Sequence, residues 1–296
     1  MFKMSDISNL KIAYFGGEPI GVPVLKELMA CGIKPQLVIC NPDRPSGRGQ
    51  KLTPPPLKVF AEENNIEVFQ PENLKDQVTL TEKLAGYDLF VVVAYNHLMP
   101  SWLIELPKYK TINVHPSMLP LRRGPNPIRS AIIEDDRASI GVSIMLMDEE
   151  MDHGPLLTQN PLPIADEHWP IDGRELDQAL ANLGGALLAD TIPRLVDGEI
   201  TPAEQNHEQA TYTQKMNKAD GEIDINPFDL PVGEEARNIY KKIQGYTGFP
   251  GTFFFHNDSR IKINEAKLIN NQLRLVRITP EGKNACSFDQ WLPNSN

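Results

Sequence analysis

Cysteine is scarce in this chain of 296 residues: Cys31, Cys40 and Cys286 are odd in number, far apart and form no C-x-x-C pair. That spacing argues against a disulfide framework or a zinc site, and buried free thiols in a reducing compartment are expected. Long hydrophobic runs are also missing. The longest, residues 89–95, falls far short of the roughly 20 residues that cross a bilayer, so no membrane partner is expected. Residues 1–10 contain no apolar stretch leading to a small-residue cleavage site, which argues against a secretory signal and for the cytoplasm. Positive charge is the third shortage, with 29 Lys plus Arg against 39 Asp plus Glu and a net charge of −10. As a bulk property, that excess of acid argues against a nucleic-acid partner.

What is present is the composition of a globular protein, 41 % hydrophobic and 23 % charged, long enough for one large domain or two ordinary ones. Short apolar runs alternate with helical stretches through the first two thirds, which predicts an α/β fold: an open, mainly parallel, Rossmann-like sheet with helices on both faces. Strands are expected at 12–15, 36–40, 68–69, 89–94, 111–115 and 141–147. Helices are expected near 22–30, 54–64 (opened by Pro54, Pro55 and Pro56), 74–84, 127–134 and 174–195. Residues 89–94 (LFVVVA) are apolar on both faces and read as the central strand. Residues 41–53 read as a polar, Pro/Gly-rich loop. After a polar junction at 197–221, a helix near 234–243 and strands at 252–255, 260–263 and 272–277 suggest a small β-rich domain. The expected division is 1–205 for a catalytic domain and 206–296 for a small C-terminal one.

The chemistry concentrates in residues 111–152. Asn113 and His115 lie two apart on a predicted strand, so they share a face near its carboxyl end, where open α/β sheets bind ligands. The next strand runs into an acidic loop, Asp148 to Asp152; if the two strands are neighbours, that loop sits beside His115. An amide, an imidazole and a carboxylate converging there suit acyl transfer to an amine. Asn113 and His115 would steady the oxyanion, and Asp152 would keep the imidazolium charged and relay the amine's proton. Taken singly, these are ordinary strand-end polar residues and a solvated turn; taken as a set, they favour chemistry.

The run Asn113-Val-His115-Pro-Ser117-Met-Leu119-Pro120-Leu-Arg122-Arg123-Gly124, with Asp152 in the later loop, resembles the signature of folate-dependent formyltransferases. Within that superfamily, residues 41–60 (NPDRPSGRGQKLTPPPLKVF) closely resemble the loop and helix of the methionyl-tRNA formyltransferase family. Residues 69–71, 91–100, 211–212, Lys215 and 279–283 extend the likeness over nearly the whole chain. The resemblance implies 10-formyltetrahydrofolate as formyl donor, the α-amine of methionine on initiator methionyl-tRNA as acceptor, and no metal. It implies Asn113, His115 and Asp152 as catalytic residues. The folate pocket would be formed by Val93, Ala94, Tyr95, Asn96 and Leu98, by Ser117, Leu119 and Pro120, and by Met147 and Asp148. Arg44, Arg48 and Lys51 on the inserted loop, with Lys215, would meet the tRNA. Two departures stand out. Asn96 and His97 occupy positions where the family has Gly and an apolar or small residue, and the C-terminal segment is short, which points to a reduced oligonucleotide-binding-type barrel. A monomer is expected.

Other features read more plainly. Gly16, Gly17 and Gly21 miss the G-x-G-x-x-G spacing and are taken as a tight strand-to-helix turn. His97 and His153 are read as structural or pocket-lining, and His168, His207 and His256 as surface residues. The charge also partitions: residues 1–205 hold 18 basic and 28 acidic side chains, residues 206–296 hold 11 of each, and residues 43–58 are locally +3. The bulk −10 therefore leaves room for salt-sensitive RNA binding through that loop and a neutral second domain. The nearest rival is an amino-sugar-nucleotide N-formyltransferase, which would not need the basic loop. A formyltetrahydrofolate hydrolase would not need it either. From other classes, a nucleotide-dependent oxidoreductase would need a better glycine fingerprint, and a non-catalytic tRNA-binding module would not need the three polar residues.

Overall fold

The computed structural model describes residue 7, residues 9–46 and residues 49–292. Two compact units result. The first comprises the chain up to Arg123 with Ser139–Leu162 and Gln178–Tyr212; the second comprises Gly124–Ala138, Pro163–Asp177 and the chain from Thr213 onward.

In chain order the elements are β1 (Ile12–Gly16), α1 (Gly21–Ala30), β2 (Leu37–Cys40), β3 (Arg44–Ser46), β4 (Lys51–Thr53), α2 (Pro56–Glu63), β5 (Glu67–Phe69) and α3 (Gln77–Leu84). Then follow β6 (Leu89–Val93), α4 (Ser101–Ile104), β7 (Thr111–His115), α5 (Pro127–Ile133), β8 (Gly141–Leu146), β9 (Leu156–Pro161) and α6 (Gly173–Val196). The chain closes with α7 (Gly233–Gly245), β10 (Thr252–His256), β11 (Ser259–Ile269), β12 (Gln272–Pro280), β13 (Cys286–Ser287) and α8 (Phe288–Trp291).

The first unit is built on a seven-stranded sheet of order β5-β2-β1-β6-β7-β8-β9. The first five strands run parallel; β8 pairs antiparallel with β7, and β9 antiparallel with β8. Every residue of β1, β2 and β6 is buried, as their unbroken apolar runs require of central parallel strands. Ala13, Phe15, Ile39, Phe90 and Val92 face one way, against Leu80 and Leu84 of α3 and Leu103 of α4. Helix α3 starts where the Asp76 carboxylate accepts from Thr79 N at 3.1 Å, and α2 starts at Pro56. On the other face α6 comes close to α1. A Cβ at Gly185 would stand 2.5 Å from Glu27 Cβ, so this crossing demands glycine.

The mainly parallel sheet with a separate β-rich part is the expected architecture, with local differences. Residues 41–53 contain a small hairpin, Arg44 pairing with Thr53 and Ser46 with Lys51, where an open loop was expected. All six residues of that hairpin are exposed, so no burial pattern marks it in the sequence. Strand β9 was not anticipated, because LLTQNP lies at a sheet edge and is only partly buried. Of the thiols expected to be buried, only Cys40 is fully so; Cys31 is exposed and Cys286 intermediate. Cys31 follows the end of α1 on the solvent side, where no apolar layer covers it.

In the second unit, β10-β11-β12-β13 form an antiparallel sheet. Its apolar side (Phe254, Ile261, Ile263, Leu273, Leu275, Ile278) takes up Ala236 and Ile243 of α7, and α5 packs on α7. Two tight turns, Asn257-Asp258 and Asn270-Asn271, hold all four residues at positive φ, the backbone that two-residue hairpins need and that Asn and Asp tolerate. Strand β11 outruns the expected 260–263 because a bulge around Glu265 breaks the alternation midway. Among the described residues, no helix is long and apolar enough to cross a membrane.

Candidate active site

Strand register sets the floor of the site. Asn113 pairs with Val92 and Met145, and His115 with Ser143, so both side chains lie on the Phe15–Val92 face while Val114 lies on the other. His115 is 4 % exposed. Its neighbours across the sheet are polar for a reason: Ser143 Oγ donates to Ser117 O (2.6 Å) and accepts from Leu119 N (3.0 Å). Gln159 Nε2 donates both to Ser143 Oγ and to Leu119 O at 2.8 Å. This row fixes the turn Ser117–Pro120, whose Ser117 Oγ also donates to Leu121 O at 2.6 Å.

The sequence expectation that adjacent strands would set the acidic loop beside His115 holds, but by a different route. Strand β8 is antiparallel, so its end at Leu146 lies beside Ile112, at the far end of β7 from His115. The loop of residues 147–155 returns toward Asn113 and His115 because Leu146 N bonds Pro155 O at 2.9 Å, closing a tight hairpin. A Cβ at Gly154 would fall 2.1 Å from Leu146 O, so glycine is obligatory in that closure. Asp152 sits at φ 53° in this loop. Its Oδ1 lies 3.4 Å from both Asn113 Nδ2 and His115 Nδ1.

His115 Nε2 is 3.0 Å from Arg122 O. A carbonyl and a carboxylate both accept, so the partners of the two ring nitrogens favour the doubly protonated, charged ring. The electrostatics agree. Burial pushes the His115 pKa down, but the Asp152 charge and hydrogen bond, with the Arg122 carbonyl, outweigh burial and the nearby Arg123 charge and raise it.

Behind this trio runs a buried polar chain absent from the sequence reading. Gln205 Nε2 donates to Asp152 O (2.9 Å) and Gly154 O (2.8 Å), while Gln205 Oε1 accepts from Arg123 Nε (3.2 Å) and Nη2 (2.7 Å). Arg123 Nη2 also reaches His207 Nδ1 at 2.9 Å, and His207 stacks on His153 with ring centroids 4.1 Å apart. His207, expected at the surface, is exposed yet engaged. A lone Gln in a polar junction carries no local signal; only its burial, at 4 % exposure, reveals it.

The segment after β6 has its own anchors. Gly17 N and Glu18 N donate to Ala94 O at 3.0 and 3.1 Å, Ala94 itself being at φ 46°. Asn96 bonds the Glu18 carboxylate, and Tyr95 packs edge-on against Phe15. His97 Nε2 lies 2.7 Å from Asn41 Oδ1, so the two unusual residues tie this loop to its neighbours. Leu98 is 85 % exposed, an apolar side chain left in solvent. Met147 N bonds Thr111 O at 2.9 Å, and Asp148 Oδ2 pairs with His153 Nδ1 at 2.7 Å. Met147 also packs against the Phe15–Val92 core.

The basic loop is partly self-neutralised. Lys58 Nζ sits 2.9 Å from both Asp43 oxygens, and Gln70 Nε2 donates to Asp43 Oδ1 at 2.8 Å. Those bonds, from Gln70 first and then Lys58, lower the Asp43 pKa. Arg44 and Lys51 remain exposed on the hairpin, Lys215 is exposed in the second unit, and Arg48 lies outside the described residues. Of the local excess of positive charge, Lys58 thus serves the base of the hairpin and not its surface. Among the described residues no group of three His, Cys, Asp or Glu is placed to hold a metal.

A parallel sheet turning antiparallel at its edge, with an Asn–His–Asp cluster at the turn, defines a class: the chain belongs to the formyl transferase family, whose model matches residues 10–192. The model of the formyl transferase C-terminal domain matches residues 215–273. Curated relatives are more particular. The methionyl-tRNA formyltransferase of Halalkalibacterium halodurans is 38 % identical over 264 residues, 88 % of this chain and 80 % of the relative. That of Citrifermentans bemidjiense is 36 % identical over 87 % of this chain and 78 % of its own. In fold, the chain is similar to a sugar N-formyltransferase from a Shewanella species, with a TM-score of 0.62 and 19 % identity over 88 % of this chain and 99 % of that one. It is similar also to the Helicobacter canadensis N-formyltransferase solved with folinic acid and dTDP-3-aminofucose, with a TM-score of 0.60 and 21 % identity over 88 % of each chain.

Proposed function

We propose that this enzyme transfers the formyl group of 10-formyltetrahydrofolate to the α-amine of methionine on initiator methionyl-tRNA. The observation that carries the chemistry is the shared Asp152 Oδ1, 3.4 Å from both Asn113 and the buried His115. The acceptor is supported by relatives 36–38 % identical over 78–80 % of their own length, whose names state it.

In this reading Asn113, which gives one N–H to Asp152, turns its second toward the formyl oxygen. Both N–H groups of His115 are committed to Asp152 and Arg122 O, so His115 acts on the developing oxyanion through its charge. That refines the sequence expectation. Asp152 takes the proton released by the attacking amine, and the carbon–nitrogen bond to the donor then breaks, with that proton returned to the departing nitrogen. Bound folate supplies a formyl carbon activated by its attachment to a ring-linked nitrogen. The exposed Leu98, in the segment after β6, suits contact with an apolar, flat ligand of that kind. Arg44 and Lys51, with Arg48 and Lys215, supply positive charge for RNA phosphate. The functional division remains 1–205 for catalysis and 206–296 for RNA affinity, in a monomer working in the cytoplasm at the start of translation.

The test is direct: purified protein, 10-formyltetrahydrofolate and methionyl initiator tRNA should give formylmethionyl-tRNA. Formylation of an amino-sugar nucleotide with none of the tRNA would replace this reading with the sugar enzyme's.

A further inference from the structure

We propose that Gln205 is a positioning residue for Asp152, holding the backbone of residues 147–155 so that the Asp152 carboxylate reaches His115. The inference rests on the function proposed above.

Its surroundings single it out. Residues 201–204 and 206–209 are all exposed, while Gln205 is 4 % exposed. A neutral amide turned inward from an otherwise solvated segment costs desolvation unless every polar atom is met. Here each is. The two N–H bonds of Nε2 go to two carbonyls of one loop, Asp152 O and Gly154 O, and Oε1 receives two N–H bonds from Arg123.

The direction of the amide is forced. Arg123 has only donors, so Oε1 must face it and the NH2 must face the loop. Arg123 is itself 2 % exposed and further held by His207 and by the Tyr212 hydroxyl at 3.4 Å. A rigid guanidinium thus orients a rigid amide, which grips the loop at the residue that carries the carboxylate and again two residues later.

The grip matters because the loop needs one. Asp152 is held at positive φ, a backbone that Asp tolerates but that carries more strain than the ordinary regions and is kept by its surroundings. Asp152 also works against the Arg123 charge to keep His115 protonated, so a small outward movement weakens the favourable partner first. Gln205 touches neither the proposed reacting atoms nor His115; it acts through Asp152.

Two substitutions separate positioning from filling space. Gln205→Glu keeps the size and the acceptor for Arg123 but cannot donate to the loop. The kcat for formyl transfer should fall tenfold or more, with KM for both substrates within about threefold. Relative activity should recover as the introduced carboxyl protonates at low pH and regains a donor. Gln205→Met removes donor and acceptor without adding charge. In the substrate-free protein, the His115 titration followed by NMR should then move down by at least half a pH unit. Thermal melts check that each variant is folded. Unchanged kcat in folded Gln205→Glu, or an unchanged His115 midpoint in folded Gln205→Met, overturns the proposal. The titration needs no substrate, so it tests the positioning even if the acceptor proves to be other than tRNA; inactivity of the unsubstituted protein would overturn the function instead.

Discussion

Replacing Asp152 with Asn removes one charge and almost no volume, which makes it the sharpest probe of the site. The Asp152 and His115 side chains are 12 % and 5 % exposed, and their nearest atoms are 3.4 Å apart. At an effective dielectric of ~20, two unit charges at that separation attract by about 5 kcal/mol, enough to favour the protonated ring. Burial is the largest influence on His115 and acts the other way, and the Arg122 carbonyl continues to favour the protonated ring. Removing the charge should therefore lower the His115 pKa. The sign of the stability change follows. A histidine whose folded pKa is raised stabilises the fold fully below its ordinary value near 6.5, and that contribution fades as pH rises through the folded pKa. The Asp152→Asn variant should therefore melt lower than the parent at pH 6 and approach it at alkaline pH. Turnover should fall by about 10²–10⁴-fold, the range for losing a positioned proton acceptor, and its alkaline limb should move to lower pH. Formyl transfer across pH 5–9, beside an NMR titration of His115, measures both. If His115 titrates at the same pH in parent and variant, the ion-pair argument is wrong.

Three further outcomes are expected. Gly154→Ala places a methyl group 2.1 Å from Leu146 O, so melting should show a loss of about 1–3 kcal/mol together with a kcat below a tenth of the parent's. An Arg44→Ala, Lys51→Ala double variant should raise KM for the tRNA and flatten its dependence on salt while leaving KM for the folate within twofold. Because burial pushes the Cys40 thiol up to about 12 and removes it from solvent, Cys40 should resist a thiol reagent at pH 8 until the protein is unfolded. Exposed Cys31 should react at once, and a mass spectrum of the labelled peptides would separate the two.

Periodicity was enough for most of the architecture. The buried runs of β1, β2 and β6 and the turn-bounded segments of β7 and β8 were legible because a strand covered on both faces has to be apolar throughout. Exposed or edge elements were not legible. The hairpin at 44–53 and strand β9 are held by backbone bonds to neighbours and bury little, so their side chains follow no pattern. In the site, Asn113 and His115 were readable from a two-residue spacing. Gln205 was not, nor was the role of Arg123 within its motif, since both depend on hydrogen bonds spanning 53 and 82 residues of chain.

The amino-acid sequence by itself determined the family, the identity of the three polar residues and the uneven distribution of charge behind the bulk −10. Local spacing and motif are one-dimensional properties, and those conclusions need nothing more. Only the tertiary structure decided how Asp152 reaches His115, which acceptors face that ring, and that Lys58 is paired with Asp43. The direction of a returning loop, the partner of a buried donor and the neutralisation of a charge are set by atoms brought within a few ångströms. Distance along the chain does not encode that proximity.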